Sequence, residues 1–202
     1  TRRSSDLACT NVWSFSTDKV SGNITLFAKW SIKTYTVTFN SQGGSAVSSV
    51  STNYSTTIAA PTAPTRTGYT FGGWYKESAC TNAWNFSTDK VIANTTLYAK
   101  WTANTYAIVY NLNGGTNSGS NPATYTYGVG VTLSSPTRTG YAFGGWYRES
   151  TFTTAITAIS TTSTGTVTLY AKWTANTYAI TYNLNGGTNS GSNPATYTYG
   201  VG

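Results

Sequence analysis

Tyr35, Val37 and Phe39 alternate with Thr36, Thr38 and Asn40, and Tyr106, Ile108, Tyr110 and Leu112 keep the same two-residue period. Such a period places the apolar set on one face of a β-strand. Leu97, Ala99 and Trp101 share one face of a third strand, with Tyr98 and Lys100 on the other. Asn113-Gly114-Gly115 ends the Tyr106 strand in residues that accept positive φ and favour a hairpin turn. Pro61 and Pro64, and later Pro136, mark a loop ahead of a Gly-Tyr strand. The Gly72-Gly73 pair inside that strand predicts a bulge or a close backbone approach. Only Phe86–Val91 carries a helical signal, with Ser87 as its N-cap, and it spans a turn or two.

The pattern recurs. Leu26-Phe27-Ala28-Lys29-Trp30 returns as Leu97–Trp101 and again as Leu169–Trp173, at steps of 71 and 72 residues. Gly68-Tyr69-Thr70-Phe71-Gly72-Gly73-Trp74-Tyr75 returns as Gly140–Tyr147, and residues 174–202 copy 102–130 except for Val109 against Thr181. The chain therefore reads as the C-terminal part of a truncated repeat (1–30), complete repeats at 31–101 and 102–173, and the N-terminal part of a truncated repeat (174–202). Because both ends cut through a repeat, a longer array is expected. Four residues separate Trp101 from Tyr106, too few for a flexible coil, so neighbouring units are expected to touch and form a semi-rigid rod.

Composition sharpens the class. Thr, Ser, Asn and Gly supply 101 of 202 residues, which disfavours helix interiors, while the aromatic share of 15% suits pleated surfaces. A mostly β protein, α+β at most, is expected. The net charge of +7 is spread over isolated Lys and Arg, the only adjacent pair being Arg2-Arg3. That pattern does not grip nucleic acid. No apolar stretch is long enough to span a bilayer.

The candidate chemistry is sparse. Without His, a Ser-His-Asp triad, a Cys-His pair and a His-ligated metal are excluded. The acids are Asp6, Asp18, Glu77, Asp89 and Glu149. Glu77 and Glu149 are copies of one position, Asp18 and Asp89 of another, and Thr161 or its neighbour replaces the latter in the third unit. No facing carboxylate pair repeats, so the acids read as surface solvation and no enzyme is expected. No cofactor or metal site is expected either. Cys9 and Cys80 are equivalent positions one unit apart and read as partly buried, inert thiols. Trp30, Trp101 and Trp173 read as core. Tyr75, Tyr98, Lys100, Tyr147, Tyr170 and Lys172 point the other way, as candidate contacts for glycans or anionic wall polymers, or as cover for the sheet's second face.

G-Y-x-F-x-G-W-Y, followed by W-x-F-S-T-D-K-V and N-x-T-L-Y-A-K-W, resembles the Listeria–Bacteroides repeat family, which includes the B-repeat of internalin-type surface proteins. The resemblance runs the length of the chain. It implies small β-grasp-like domains in tandem, on bacterial surface or secreted proteins, with no catalytic residues to carry over. The unit at 102–173 departs from the pattern: Phe152 replaces Cys80, and Thr153–Thr157 replaces the Trp84/Phe86 stretch, so its late segment is expected to be looser or shifted in register. The expected function is a non-catalytic stalk or spacer of an extracellular bacterial protein, cell-surface or secreted, whose neighbouring repeats pack on one another, hold a separate functional domain away from the wall and mediate adhesion. The alternative is a multivalent array binding glycans, anionic wall polymers or host surface proteins.

Overall fold

The computed structural model describes residues 9–201. Arg2, Arg3 and Asp6 lie outside the described residues. Among the described residues the chain is all β, with no helix. Its strands are β1 (Thr34–Asn40), β2 (Val50–Asn53), β3 (Tyr69–Tyr75), β4 (Thr95–Ala103), β5 (Thr105–Asn111), β6 (Thr124–Thr126) and β7 (Val131–Thr132). They continue with β8 (Tyr141–Tyr147), β9 (Ala155–Ile156), β10 (Ala158–Ile159), β11 (Val167–Ala175), β12 (Thr177–Ala179) and β13 (Thr196–Thr198).

Two sheets share one plan. The first has the order β2-β1-β4-β3, and the second β6-β5-β11-β8-β9. In each, the central strands run parallel and the outer neighbour of the first strand runs antiparallel to it. Register matches as well: Val37 and Phe39 lie beside Thr95 and Leu97, as Ile108 and Tyr110 lie beside Val167 and Leu169. Two short two-stranded sheets, β10-β7 and β12-β13, complete the set.

By contacts the chain divides into two compact units. One comprises the chain ahead of Ser41 with Ala46–Thr62 and Trp74–Tyr98. Its core is Val37, Phe39, Ile58, Trp74, Val91 and Leu97, with the Phe39 and Trp74 rings edge-on at 4.8 Å. The other comprises Ser41–Ser45, Ala63–Gly73 and the chain from Ala99. Its core gathers Ile108, Tyr125, Trp146, Ile159, Val167, Leu169 and Ala171. Tyr125 is buried with its hydroxyl donating to the Gly165 carbonyl at 2.6 Å, so its polar end stays satisfied.

In β8 the Gly144-Gly145 pair, the copy of Gly72-Gly73, is a bulge. Ala171 faces Trp146 while Trp173 faces Phe143, so β8 uses three steps where β11 uses two, and Gly145 takes φ +112°. The physical consequence is aromatic. Residues three apart on a regular strand point to opposite faces, yet the extra residue brings Phe143 and Trp146 together at 5.5 Å between centroids.

Several expectations need correction. Trp74 and Trp146, each 3% exposed, are the deeply buried indoles, whereas Trp101 and Trp173 are half-buried. Trp30 is 89% exposed, in a segment that forms no strand. Phe86–Val91 forms a single turn, not a helix, and Asn85 rather than Ser87 organises it: the Thr88 and Asp89 amides donate to the Asn85 carbonyl. Asn113-Gly114-Gly115 does turn, with Asn113 and Gly114 at positive φ. The chain leaving it forms only an isolated bridge, Thr116 with Thr137, and β5 takes β6 as its antiparallel partner after a longer loop. Nor is the late segment of 102–173 loose. Ile156 pairs with Trp146 as Trp84 does with Trp74, and Ile159, 1% exposed, pairs with Val131.

Candidate functional site

Each sequence-predicted contact residue has a definite place. Tyr75, Tyr98, Tyr147 and Tyr170 are half-buried, Lys100 is exposed and Lys172 is half-buried. The structure brings three of them together: Tyr170 lies opposite Tyr147 across the β8–β11 ladder, and the Lys172 ammonium sits 5.4 Å above the Tyr147 ring. Phe152 meets Tyr147 edge-on at 5.4 Å and also lies under Lys172. The Tyr147 ring thus has a cation and an aromatic edge as neighbours within its own repeat, while Tyr147 and Tyr170 both stay partly exposed. In the first sheet, Tyr75 and Tyr98 are in the first contact unit, and Lys100 lies against Gly72 in the second.

The acids hold loops, which corrects their reading as mere surface solvation. The Glu77 carboxylate accepts from the Thr81 hydroxyl at 2.5 Å and from the Thr81 and Asn82 amides at 2.8 Å. The Thr81 hydroxyl, ahead of the Asn82 amide, draws its pKa down to about 2. Glu149 repeats the arrangement with Thr153 and Thr154 and is lowered for the same reason. Asp89 accepts from the Asn85 amide and pairs with Lys76 at 3.0 Å, as Asp18 accepts from the Ser14 amide. Cys9, Cys80 and Phe152 occupy matching places, all with left-handed backbone (φ +50°, +53° and +56°). Among the described residues no group of three His, Cys, Asp or Glu could hold a metal ion, and no helix is long and apolar enough to cross a membrane.

The feature that sequence reasoning missed is a junction built twice. Only Asn104 separates β4 from β5, and only Asn176 separates β11 from β12. The Asn104 amide donates to the Gly68 carbonyl and its own carbonyl accepts from Tyr127, both at 2.9 Å. The Thr70 hydroxyl donates to its side-chain oxygen at 2.6 Å. Asn176 bonds Gly140 and Tyr199 through the same backbone groups at the same distances. Tyr127 packs edge-on against Tyr69 at 5.3 Å, and Tyr199 against Tyr141 at 5.6 Å. The Arg66 guanidinium stands 4.0 Å from the Tyr69 centroid and Arg138 stands 3.8 Å from that of Tyr141. Nearby, the Trp101 indole donates to the Ser41 carbonyl and Trp173 to Leu112. The available signal was the T-Y-T-Y-G run at 124–128 and 196–200, at the same spacing from each Gly-Tyr pair.

Beside Arg138 the surface opens into a groove of about 570 Å³, bounded by Tyr141, Tyr199 and Gly114, with Thr116, Thr137 and Thr139 completing its wall.

A sequence profile described as the Listeria-Bacteroides repeat domain matches residues 4–29, 35–100 and 106–172. A protein of Evansella cellulosilytica, provisionally named a Gly-rich membrane protein, is 41% identical over 182 residues, covering 90% of this chain and 21% of that protein. A second from the same organism, provisionally named a membrane protein, is 38% identical over 183 residues, covering 89% and 27%. Internalin H of Listeria monocytogenes is 37% identical over 144 residues, covering 70% and 25%. The chain spans about a quarter of the length of the relatives it matches.

Proposed function

The chain belongs to the Listeria–Bacteroides repeat domain family, and from that premise we propose that it is a non-catalytic spacer of a bacterial surface or secreted protein. Its repeats, divided at 31–101 and 102–173, serve as small β-grasp-like modules. The mixed sheet with a central parallel pair supports that reading of the fold, with an irregular crossover in place of a helix. Surface location rests on relatives named as an internalin and as membrane proteins.

One observation carries the spacer reading: the one-residue joint. A free single-residue linker still leaves two soft backbone torsions. Here Asn104 and Asn176 are hydrogen-bonded to the strand before and to the hairpin after, and a tyrosine covers each joint. Joints of this kind resist bending, so a tandem array of them makes a semi-rigid rod that holds a separate domain outward. Sugar stacking on the Tyr147 platform is not required by this reading.

Small-angle scattering on arrays of two, three and four complete repeats tests it. A 71-residue module has a diameter of roughly 25–30 Å by size scaling. The maximum dimension should rise by about that increment per repeat. Growth much slower than linear, or a distribution that broadens with each repeat, would make the array a flexible tether and end the spacer proposal.

A further inference from the structure

The spacer function leaves Arg138 without a task. Its guanidinium carbon lies 3.8 Å from the Tyr141 centroid and beside Gly114, where an added Cβ would come within 3.4 Å of it. Stacking on a ring fixes the plane of a guanidinium while leaving its N–H edge available for two parallel bonds to one oxyanion. Among the described residues that guanidinium donates no hydrogen bond and meets no carboxylate. The chain holds five acids against twelve Lys and Arg, and Glu77, Glu149, Asp89 and Asp18 are all engaged in their own loops. The cation is therefore oriented, half-buried and uncompensated.

It also lines an open surface groove. Tyr141 and Tyr199 supply aromatic walls, the latter from the start of the next repeat, and three threonines add hydroxyl-bearing side chains. The groove is open to solvent and its walls are mostly polar, so it suits a hydrated, hydroxyl-bearing group held at the surface. The same elements recur one repeat earlier. Arg66 stacks on Tyr69, lies against Gly43 and has Tyr127 beside its tyrosine, although one of its amines donates to the Gln42 carbonyl.

We propose that each repeat junction is a binding site for a single oxyanion carried on a polyol, held by the tyrosine-stacked arginine and completed by a tyrosine of the following repeat. The ligand's chemistry is a carboxylate or phosphate flanked by hydroxyls. Arg66 and Arg138 provide two such sites in this chain, and the Arg66 site is the weaker because part of its fork is already used. The site needs two adjacent repeats, so an isolated repeat lacks it.

The test is a nuclear magnetic resonance titration of the whole chain, following the Arg side-chain Nε–H signals and the Gly114 and Thr116 amides. Inorganic phosphate, glycerol 3-phosphate and glucuronate are the probes, the last two separating phosphate-borne from carboxylate-borne polyols. Saturable shifts at Arg138 and Gly114 are expected, with glycerol 3-phosphate or glucuronate binding more tightly than inorganic phosphate. Arg138→Lys keeps the charge but loses the fork, and should weaken binding at that site at least about tenfold, the loss expected for a charge-assisted bidentate contact. Shifts spread evenly over all Lys and Arg, or an Arg138→Lys chain that binds as well as the original, would overturn the proposal. The unsubstituted chain alone decides the first point, whatever the stability of the variant.

Discussion

Tyr199 lies so close to Gly140 that a Cβ added at position 140 would sit 2.3 Å from two carbons of its ring. Tyr127 stands over Gly68 in the same way, at 2.2 Å. Both glycines also have φ +77°, a backbone conformation that disfavours any side chain. Two independent reasons for glycine thus coincide at each joint, one conformational and one steric.

Gly140→Ala should lower stability by roughly 2–4 kcal/mol, about 1–2 from the left-handed backbone and the rest from displacing the ring. Denaturant unfolding followed by Trp fluorescence measures it. Tyr199→Ala removes the steric part, so the double variant should be about 1 kcal/mol or more better than the sum of the single losses. Strict additivity would show that the ring is not what position 140 excludes.

The indoles should separate into three grades. Trp146→Ala removes a side chain that is 3% exposed, donates to the Ser134 carbonyl and packs on Tyr110 and Phe143, and should cost roughly 3–5 kcal/mol. Trp173→Ala, half-buried but sealing Gly115 with its indole, should fall below that. Trp30→Ala should stay within about 0.5 kcal/mol, as surface substitutions do. Equal losses for Trp30 and Trp173 would show that sequence equivalence outweighs environment.

That contrast marks what the sequence could and could not disclose. The two-residue period at Tyr35–Phe39 is a local signal, and it became β1 with Val37 and Phe39 buried. The bulge was legible from the glycine pair inside an otherwise apolar strand, and it is seen at Gly144-Gly145, the copy of Gly72-Gly73. Burial of Trp30 was not legible from its motif, since the residues that cover Trp101 are Ser41, Gly44 and Phe71, distant in sequence. The helical signal at Phe86–Val91 failed for a related reason: the Asp89 side chain takes the Asn85 amide and Lys76, closing the segment after one turn. The junction escaped because Gly68 and Tyr127 belong to different repeats, and a motif search compares repeats without asking what one places on another.

The acids give the last prediction, and its sign follows from the direction of their shifts. Glu77 has an ordinary value of 4.5 when unfolded and about 2 when folded. A depressed folded value means that the carboxylate favours the native state wherever it is ionised in both states, which is above about pH 5. Below about pH 2 it is protonated in both and contributes nothing, so its contribution is lost as pH falls from 4.5 to 2. Glu149 and Asp89 shift the same way, the first through Thr153 and the second through the Asn85 amide and Lys76. The thermal midpoint should therefore fall across this window and stay flat from pH 5 to 7. Replacing both Glu77 and Glu149 by Gln should lower the neutral-pH midpoint and flatten the acid slope together. A Gln variant whose profile runs parallel to that of the original chain would mean that the loops at Thr81 and Thr153 do not depend on these carboxylates for their stability.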